Sequence, residues 1–365
     1  MRLDLQVSTR MSKAGEDGVI RLSAKQKAKL KVNPGAELSL STESGGKLSV
    51  VVADAHSAEA AKERGASWVS QHTFDLVVGN PTDPDIVTLG CDPEFVFIDS
   101  RGQVMPANYW LPTKGLVGSD GPLAELRPSP AEHEREVVEN LRKLIHCLPV
   151  LMEHQFGGTS QVTMEGHSCW QNYALGFHIH IGAPREITTG AAVASKEFVR
   201  SFITALDYFV GIPAMLLEDT NLRRLGNGMY GKPGDFRITN RTVEYRTPGG
   251  FHLRHPNYAA GVMGLALCVS REIFEDARSE SLNWRELNKC AGFSLFQKKY
   301  DLPSKSSIRW ALSEPTKKAA VAMLPNLIER LRRLRYFHEH EESIRGYFSV
   351  MAENKQYSPR LLDNW

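Results

Sequence analysis

Three short segments of this chain place polar side chains at two-residue spacing, and a fourth is crowded with cations. In Gly90-Cys-Asp-Pro-Glu-Phe95, Asp92 and Glu94 alternate with Pro93 and Phe95. Successive side chains of a β-strand face opposite ways, so both carboxylates project from one side. Two such groups repel unless a cation lies between them. Hard divalent ions favour oxygen donors, and Mg²⁺ in particular bridges protein carboxylates to substrate phosphates. Pro93 predicts an edge strand or a strand start, and the bland reading of the segment is a solvated strand end. In Gly118-Ser-Asp-Gly-Pro-Leu-Ala-Glu-Leu-Arg127, Asp120-Gly121 marks a turn. Glu125 and Arg127 then share a face, as a further metal ligand and an anion clamp or as a plain surface ion pair. In Gly176-Phe-His-Ile-His-Ile-Gly182 the alternation sends His178 and His180 to one side and both isoleucines to the core. A His-x-His pair also suits zinc. No third His or Cys stands at a zinc-like spacing, whereas carboxylates are plentiful, which favours Mg²⁺ or Mn²⁺.

The fourth segment puts six cationic side chains within the 24 residues 223–246, set among glycines. Arginines on such a loop match the planar oxygens of phosphate and carboxylate groups, which makes Arg223, Arg224, Lys232 and Arg237 candidates for holding a nucleotide. A solvated charged face is the competing reading for Arg223, Arg224 and Lys232. Glu244 and Arg246 again share a strand face. There is no GxxxxGK[ST] motif, so a nucleotide here would not be held by a P-loop.

These residues need strands to present them and helices to back the strands. Strands are predicted over 86–98, 123–127, 176–181, 236–238 and 242–246. Helices are predicted over 130–155, where Val137, Val138, Leu141, Leu144, Ile145 and Leu148 recur at helical spacing, and over 191–217, 257–277 and 317–337. Strands dispersed among helices with short returns predict an α+β domain. Before the Pro- and Asp-rich stretch 80–85 the chain reads differently, as short strands punctuated by turns. The expected organisation is therefore a small β-rich accessory domain over 1–80 and a larger domain over 81–365 with a helical C-terminal part.

The 365 residues exceed one typical domain. With 42% hydrophobic and 24% charged residues the composition is that of a globular protein and excludes disorder. A net charge of +2 gives no basis for a sequence-independent grip on nucleic acid. Five dispersed cysteines, no apolar leader and no apolar run approaching a span of about 20 residues point to a reducing cytoplasmic location without a membrane.

Taken in order, the motifs resemble a known family. An acidic-x-acidic strand, a DG…E strand, G-x-H-x-H, then an Arg-rich loop running into E-x-R is similar to the catalytic domain of glutamine synthetase and glutamate–cysteine ligase. The phrasing "G-x-DPEF", "DG…ELRP", "HxHxG" and "VEYRTP" resembles the phage-type carboxylate–amine ligases (type 2) over roughly residues 88 to 265, with His255–Tyr258 opening the helix that follows the last strand there. The resemblance implies a curved antiparallel sheet forming a funnel, with ATP entering one end and the substrates the other. It implies that Asp92, His178 and Glu244 hold the metal on the ATP phosphates. Glu94 and Glu125, with Asp120 as a lesser contributor, hold the metal nearer the acceptor. His180 contacts substrate or phosphate, and Arg237 and Arg246 stabilise the transferring phosphoryl group. Glutamine synthetase commonly supplies three carboxylates to the inner metal, and only Glu94 and Glu125 match here, so two metals are expected and not three. The implied reaction joins a carboxylate to an amine (an amino acid, polyamine or peptide) through an acyl phosphate. No segment matches a glutamate-binding loop, and an oligomer is compatible with the family.

Three rivals share some of these features. A guanidino kinase would use the arginines without the metal shell. A zinc hydrolase would use the histidine pair without ATP. Residues 18–38, GVIRLSAKQKAKLKVNPGAEL, resemble the strand–helix–Pro-Gly–strand unit of AbrB-like swapped-hairpin barrels, which would make the protein a DNA-binding or scaffold module.

Overall fold

The computed structural model describes residues 2–6, 38–43, 47–52, 86–156, 162–182, 196–225, 230–238, 242–279 and 292–365. The chain forms two compact units, one of residues 1–81 with 112–117 and one of residues 82–111 with 118–365. In the first, β1 (Arg2–Gln6), β2 (Leu38–Glu43) and β3 (Lys47–Val52) form an antiparallel sheet in the order β1-β3-β2. The AbrB-like segment up to residue 37 and residues 53–80 of the expected accessory domain lie outside the described residues.

The second unit is built on an antiparallel sheet. Its strands are β4 (Thr88–Asp99), β5 (Val104–Met105), β6 (Val117–Asp120), β7 (Leu123–Leu126), β8 (Val162–Glu165), β11 (Phe177–Gly182), β12 (Phe236–Ile238) and β13 (Thr242–Tyr245). The order is β12-β13-β11-β4-β7-β6, with β5 and β8 also paired to β4. A separate hairpin joins β9 (Cys169–Trp170) to β10 (Tyr173–Ala174). This is the α+β architecture that the element pattern predicts. Pro93 does not mark an edge, however. It lies inside β4, which pairs with β11 along one edge over residues 88–93 and with β7 along the other edge at 94–95. The Glu94 N–H serves the β11 edge through Gly176 O, so the Pro93 nitrogen turns to the other edge, where the pairing with β7 begins only at residue 94 and no N–H is missed.

Period-two alternation divides the sheet. Leu89, Cys91, Phe95, Ile179, Ile181 and Tyr245 occupy one face and are buried. Helices cover that face, chiefly Pro256–Ser279, which packs on β4 and β11. The helices of this unit are α1 (Glu134–Phe156), α2 (Lys196–Leu206), α3 (Ile212–Leu217), α4 (Leu222–Leu225), α5 (Pro256–Ser279), α6 (Gly292–Tyr300), α7 (Lys305–Ser313), α8 (Lys318–Leu331) and α9 (Glu341–Ala352). Helix α1 starts four residues later than predicted. Ala131 uses both its backbone groups on Leu89 of β4, at 2.7 and 2.8 Å, and cannot also open a helix. Its predicted stripe is buried as expected, with Val137, Leu141, Leu144, Ile145 and Leu148 all at 2% exposure or less. In its first turn, Glu134 accepts hydrogen bonds from Ser343 at 2.7 Å and from His340 at 2.8 Å, tying α1 to α9. Gly261 of α5 lies against the Tyr347 ring of α9, where any side chain would collide.

The predicted helix over 191–217 is interrupted. Between α2 and α3, Asp207–Gly211 forms a π-helical turn just before Pro213, which has no amide hydrogen to continue a regular ladder. Together Val199–Leu217 is long and apolar enough by length and composition to cross a membrane, which no single apolar run predicted, but 83% of its apolar window is buried inside the protein. It is a core helix.

Candidate active site

The opposite face of the sheet gathers the polar residues. Register pairs Arg237 with Glu244, Glu244 with His180, His178 with Asp92, and Glu94 with Glu125. Directly opposed residues share a face, and so do residues two apart on one strand. Asp92, Glu94, Glu125, His178, His180, Arg237 and Glu244 therefore line one surface, which continues beyond β4 residue 94 into an apolar cluster of Val96, Ile98, Leu123 and Leu175. The catalytic and metal candidates read from four distant segments are brought together.

The distances are short. His180 Nε2 lies 2.9 Å from one Asp92 oxygen, and His178 Nδ1 lies 3.3 Å from the other and 3.7 Å from Glu244. Arg246 Nε is 3.2 Å from Glu244, which also accepts from Arg237. Glu94 accepts from the backbone N–H of Gly176, and Glu125 from Arg127. Gly176 cannot carry a side chain, because a Cβ there would strike the His178 ring. Asp92, His180 and Glu244 each offer a ligand atom within 4.8 Å of the others. That grouping draws His180 in beside His178, where the resemblance had set it apart as a substrate contact.

Burial opposes ionisation of Asp92, but the charge of His180 and the close approach of both imidazoles outweigh it, and the carboxyl stays well below its usual range. Burial lowers the pKa of His180, yet Asp92 and Glu244 raise it further, so the net shift is upward. His180 thus stands beside both carboxylates, where a cation would balance them. Burial raises Glu94 despite His178 and the Gly176 N–H. Burial, and then the charge of Asp92, push Glu125 up to about 9 against the pull of Arg127. Asp92 Oδ1, His178 Nε2, Glu244 Oε1 and Arg246 Nε are all buried without a partner of hydrogen-bonding geometry. Four carboxylates on one buried face, two of them (Asp92 and Glu244) with an orphaned oxygen, fit a hard divalent cation.

A stability prediction follows. The folded-state pKa of Glu125 lies above its unfolded value of about 4.3, so the native state binds the extra proton. Stability of the metal-free protein should therefore fall as pH rises from about 5 to about 9. A divalent cation competes for the same oxygens, so millimolar MgCl₂ should flatten that decline. Thermal unfolding across this range, with EDTA or with MgCl₂, measures it; identical pH profiles would contradict it.

Two of the four cationic candidates for holding a nucleotide are placed elsewhere. Arg223 is fully buried and donates to Thr247 O at 2.8 Å and to Arg246 O at 2.9 Å. Arg224 is buried in a two-pronged ion pair with Glu218, at 2.9 and 2.6 Å. Their guanidinium groups brace β13 from within and do not line an open loop. Gly231, at φ +79°, lies against the Arg223 guanidinium, so a glycine expected to approach a ligand instead admits an arginine. Lys232 and Arg237 are exposed.

Residues that motif reading did not assign complete the site. Tyr230 stacks its ring on the Arg246 guanidinium at 4.7 Å. Asp207, in the π turn beneath β13, accepts from Tyr245 at 3.0 Å and Thr247 at 3.2 Å, on either side of Arg246. Burial pushes its carboxyl up to about 7 even so. The π turn ends just before Pro213, and that proline was the available signal. A cavity of about 390 Å³ opens beside Glu94 and Arg246, lined also by Asp120, Asn172, Tyr173 and Tyr230.

Among known proteins, the profile of the phage phiEco32-like COOH.NH2 ligase, type 2, matches residues 89–361. No curated protein matches the chain. Among solved structures, a bifunctional glutathione synthetase from Pasteurella multocida is 9% identical, covering 74% of this chain and 52% of its own, with a TM-score of 0.37. The chain thus spans about half the length of that relative. A structure described as a novel glutamine synthase homolog is 11% identical, covering 76% of this chain and 69% of its own, with a TM-score of 0.36. The matched span takes in the whole polar face from Asp92 to Arg246 and the helices that back it, and the chain belongs to the phage phiEco32-like carboxylate–amine ligase family, type 2.

Proposed function

We propose that this chain forms an amide from a carboxylate and an amine at the expense of ATP, with Mg²⁺ as the metal. The observation that carries the reading is the single buried face holding Asp92, Glu94, Glu125 and Glu244, with His178 and His180 among them and Arg237 and Arg246 alongside. Mg²⁺, or Mn²⁺ given the two histidines, held by Asp92, Glu244 and the histidines on one side and by Glu94 and Glu125 on the other, would neutralise the phosphate oxygens and so permit attack by an anion.

The substrate carboxylate oxygen attacks the γ-phosphorus, the bond to the β-phosphate oxygen breaks, and ADP leaves. The amine nitrogen then attacks the acyl carbon, a C–N bond forms, and the C–O bond to phosphate breaks. The surplus protons of the amine pass to solvent through the open cavity. No side-chain nucleophile is needed, so this chain's contribution is positioning and charge. Arg246 is held in place by Glu244 and Tyr230, which presets its planar charge for phosphoryl oxygens. Glu94 is fixed by Gly176 at the boundary between the polar face and the cavity.

The test is release of ADP and phosphate from MgATP over a matrix of carboxylates and amines. The expected result is ADP release that needs both substrates and stops with EDTA. Amide or ester hydrolysis without ATP, together with bound zinc, would instead establish the hydrolase reading.

A further inference from the structure

We infer that the cavity beside Glu94 receives the amine substrate, that this amine is a primary amine on an organic cation and not free ammonia, and that Asp120 is the carboxylate that binds its ammonium group. The inference rests on the ligase reading above and adds to it the class of the amine and the residue that selects it.

Size is the first argument. At about 390 Å³ the cavity falls in the range of small-molecule sites, roughly 300–1,000 Å³. Ammonia needs about the volume of one water, about 30 Å³. Charge is the second. The ionisable groups on the wall are Glu94, Asp120 and Arg246, and the only side-chain partners of Arg246 among the described residues are Glu244 and the Tyr230 ring. With Glu94 assigned to the metal and Arg246 held by Glu244, Asp120 is the charge left without a partner among the described residues, and it calls for a cationic guest.

Placement is the third. Asp120 ends β6, and Gly121 at φ +55° turns the chain back into β7, so the hairpin that delivers Glu125 to the metal face also sets Asp120 at the cavity. The Asp120 side chain is exposed and has no ion-pair or hydrogen-bond partner among the described residues. Opposite in kind, Tyr173 packs against the Val96–Leu123 cluster and gives the cavity an aromatic wall. Ammonia has no use for such a wall, whereas the carbon chain and charge of an organic ammonium ion gain from it.

Calorimetric titration of the full chain, loaded with Mg²⁺ and a non-hydrolysable ATP analogue, tests this with cadaverine, L-lysine amide and ammonium chloride at matched ionic strength. Cadaverine or lysine amide is expected to bind, and ammonium chloride is expected not to displace it. Asp120→Asn should weaken that binding at least tenfold while leaving analogue affinity unchanged, and Tyr173→Ala should weaken it too. Analogue binding with no amine binding would overturn the inference, as would binding indifferent to Asp120→Asn or matched by ammonium. Failure of the analogue itself to bind would overturn the ligase reading, and the inference with it.

Discussion

Glu94→Gln is expected to abolish Mg²⁺-dependent ADP release, with a loss on the order of 10³-fold or more, while the folded protein becomes no less stable in EDTA. The two halves of this outcome have one cause. Glu94 is 6% exposed, its carboxyl is pushed up by burial, and it accepts from the Gly176 N–H. Glutamine keeps an acceptor for that N–H and removes a buried charge that only a cation would compensate, so stability is preserved or gained. It also removes a charged oxygen donor that the reaction needs. Glu244→Gln should lose activity just as severely but move stability the other way. Arg237 and Arg246 both lean on that carboxylate, and without it two cations face each other on neighbouring strands. Steady-state ADP release and thermal unfolding of both variants measure this pair of outcomes. Turnover at the wild-type level in either variant would sink the assignment of the metal face.

The shared polar face was legible in the sequence because β-strands have a period of two. D-x-E, H-x-H and E-x-R each state which side chains share a side, and burial of Cys91, Phe95, Ile179 and Tyr245 on the other side agrees. Order along the chain then supplied what no single motif held, namely that Asp92 and Glu244, 152 positions apart, belong together. What was not legible depends on partners that only the tertiary fold provides. Arg223 and Arg224 sit in a Gly-rich, cation-rich stretch, and nothing local distinguishes a solvated arginine from a buried one. Their carbonyl and carboxylate partners come from Arg246 and Thr247, just after β13, and from Glu218, which precedes α4. Pro93 misled for a related reason. A proline forbids one ladder bond, and the sequence does not say that β7 joins that edge of β4 only from residue 94. Asp207 carries no motif at all, and its role follows from lying beneath Tyr245 and Thr247.

The Glu218–Arg224 pair is where misreading a charge has the largest consequence for stability. Both side chains are fully buried, and the Glu218 carboxylate also accepts from Ser168 at 2.9 Å and from the Gly249 N–H at 2.9 Å. Arg224 in turn donates to Thr247 O at 2.9 Å. Glu218→Gln strands a guanidinium in the interior, and Arg224→Met strands a carboxylate. Each is expected to cost about 3–5 kcal/mol, lowering the unfolding midpoint by roughly 10 °C. The two losses should not add, because the double variant leaves no unpaired charge, and a double-mutant cycle on chemical denaturation measures the coupling. The pH dependence fixes the sign independently. Burial would raise the Glu218 pKa, but the charge and hydrogen bonds of Arg224 hold it down to about 2. The contribution is therefore complete above the unfolded value of about 4.3 and is lost as pH falls from there toward about 2. Wild-type protein should lose stability over that interval more steeply than the double variant does. Nucleotide-analogue affinity separates this bracing role from direct phosphate binding. An Arg224→Met protein that kept its unfolding midpoint and lost the analogue would return Arg224 to the phosphate site, whereas a lowered midpoint with affinity retained well below it places the arginine beneath the sheet as a brace.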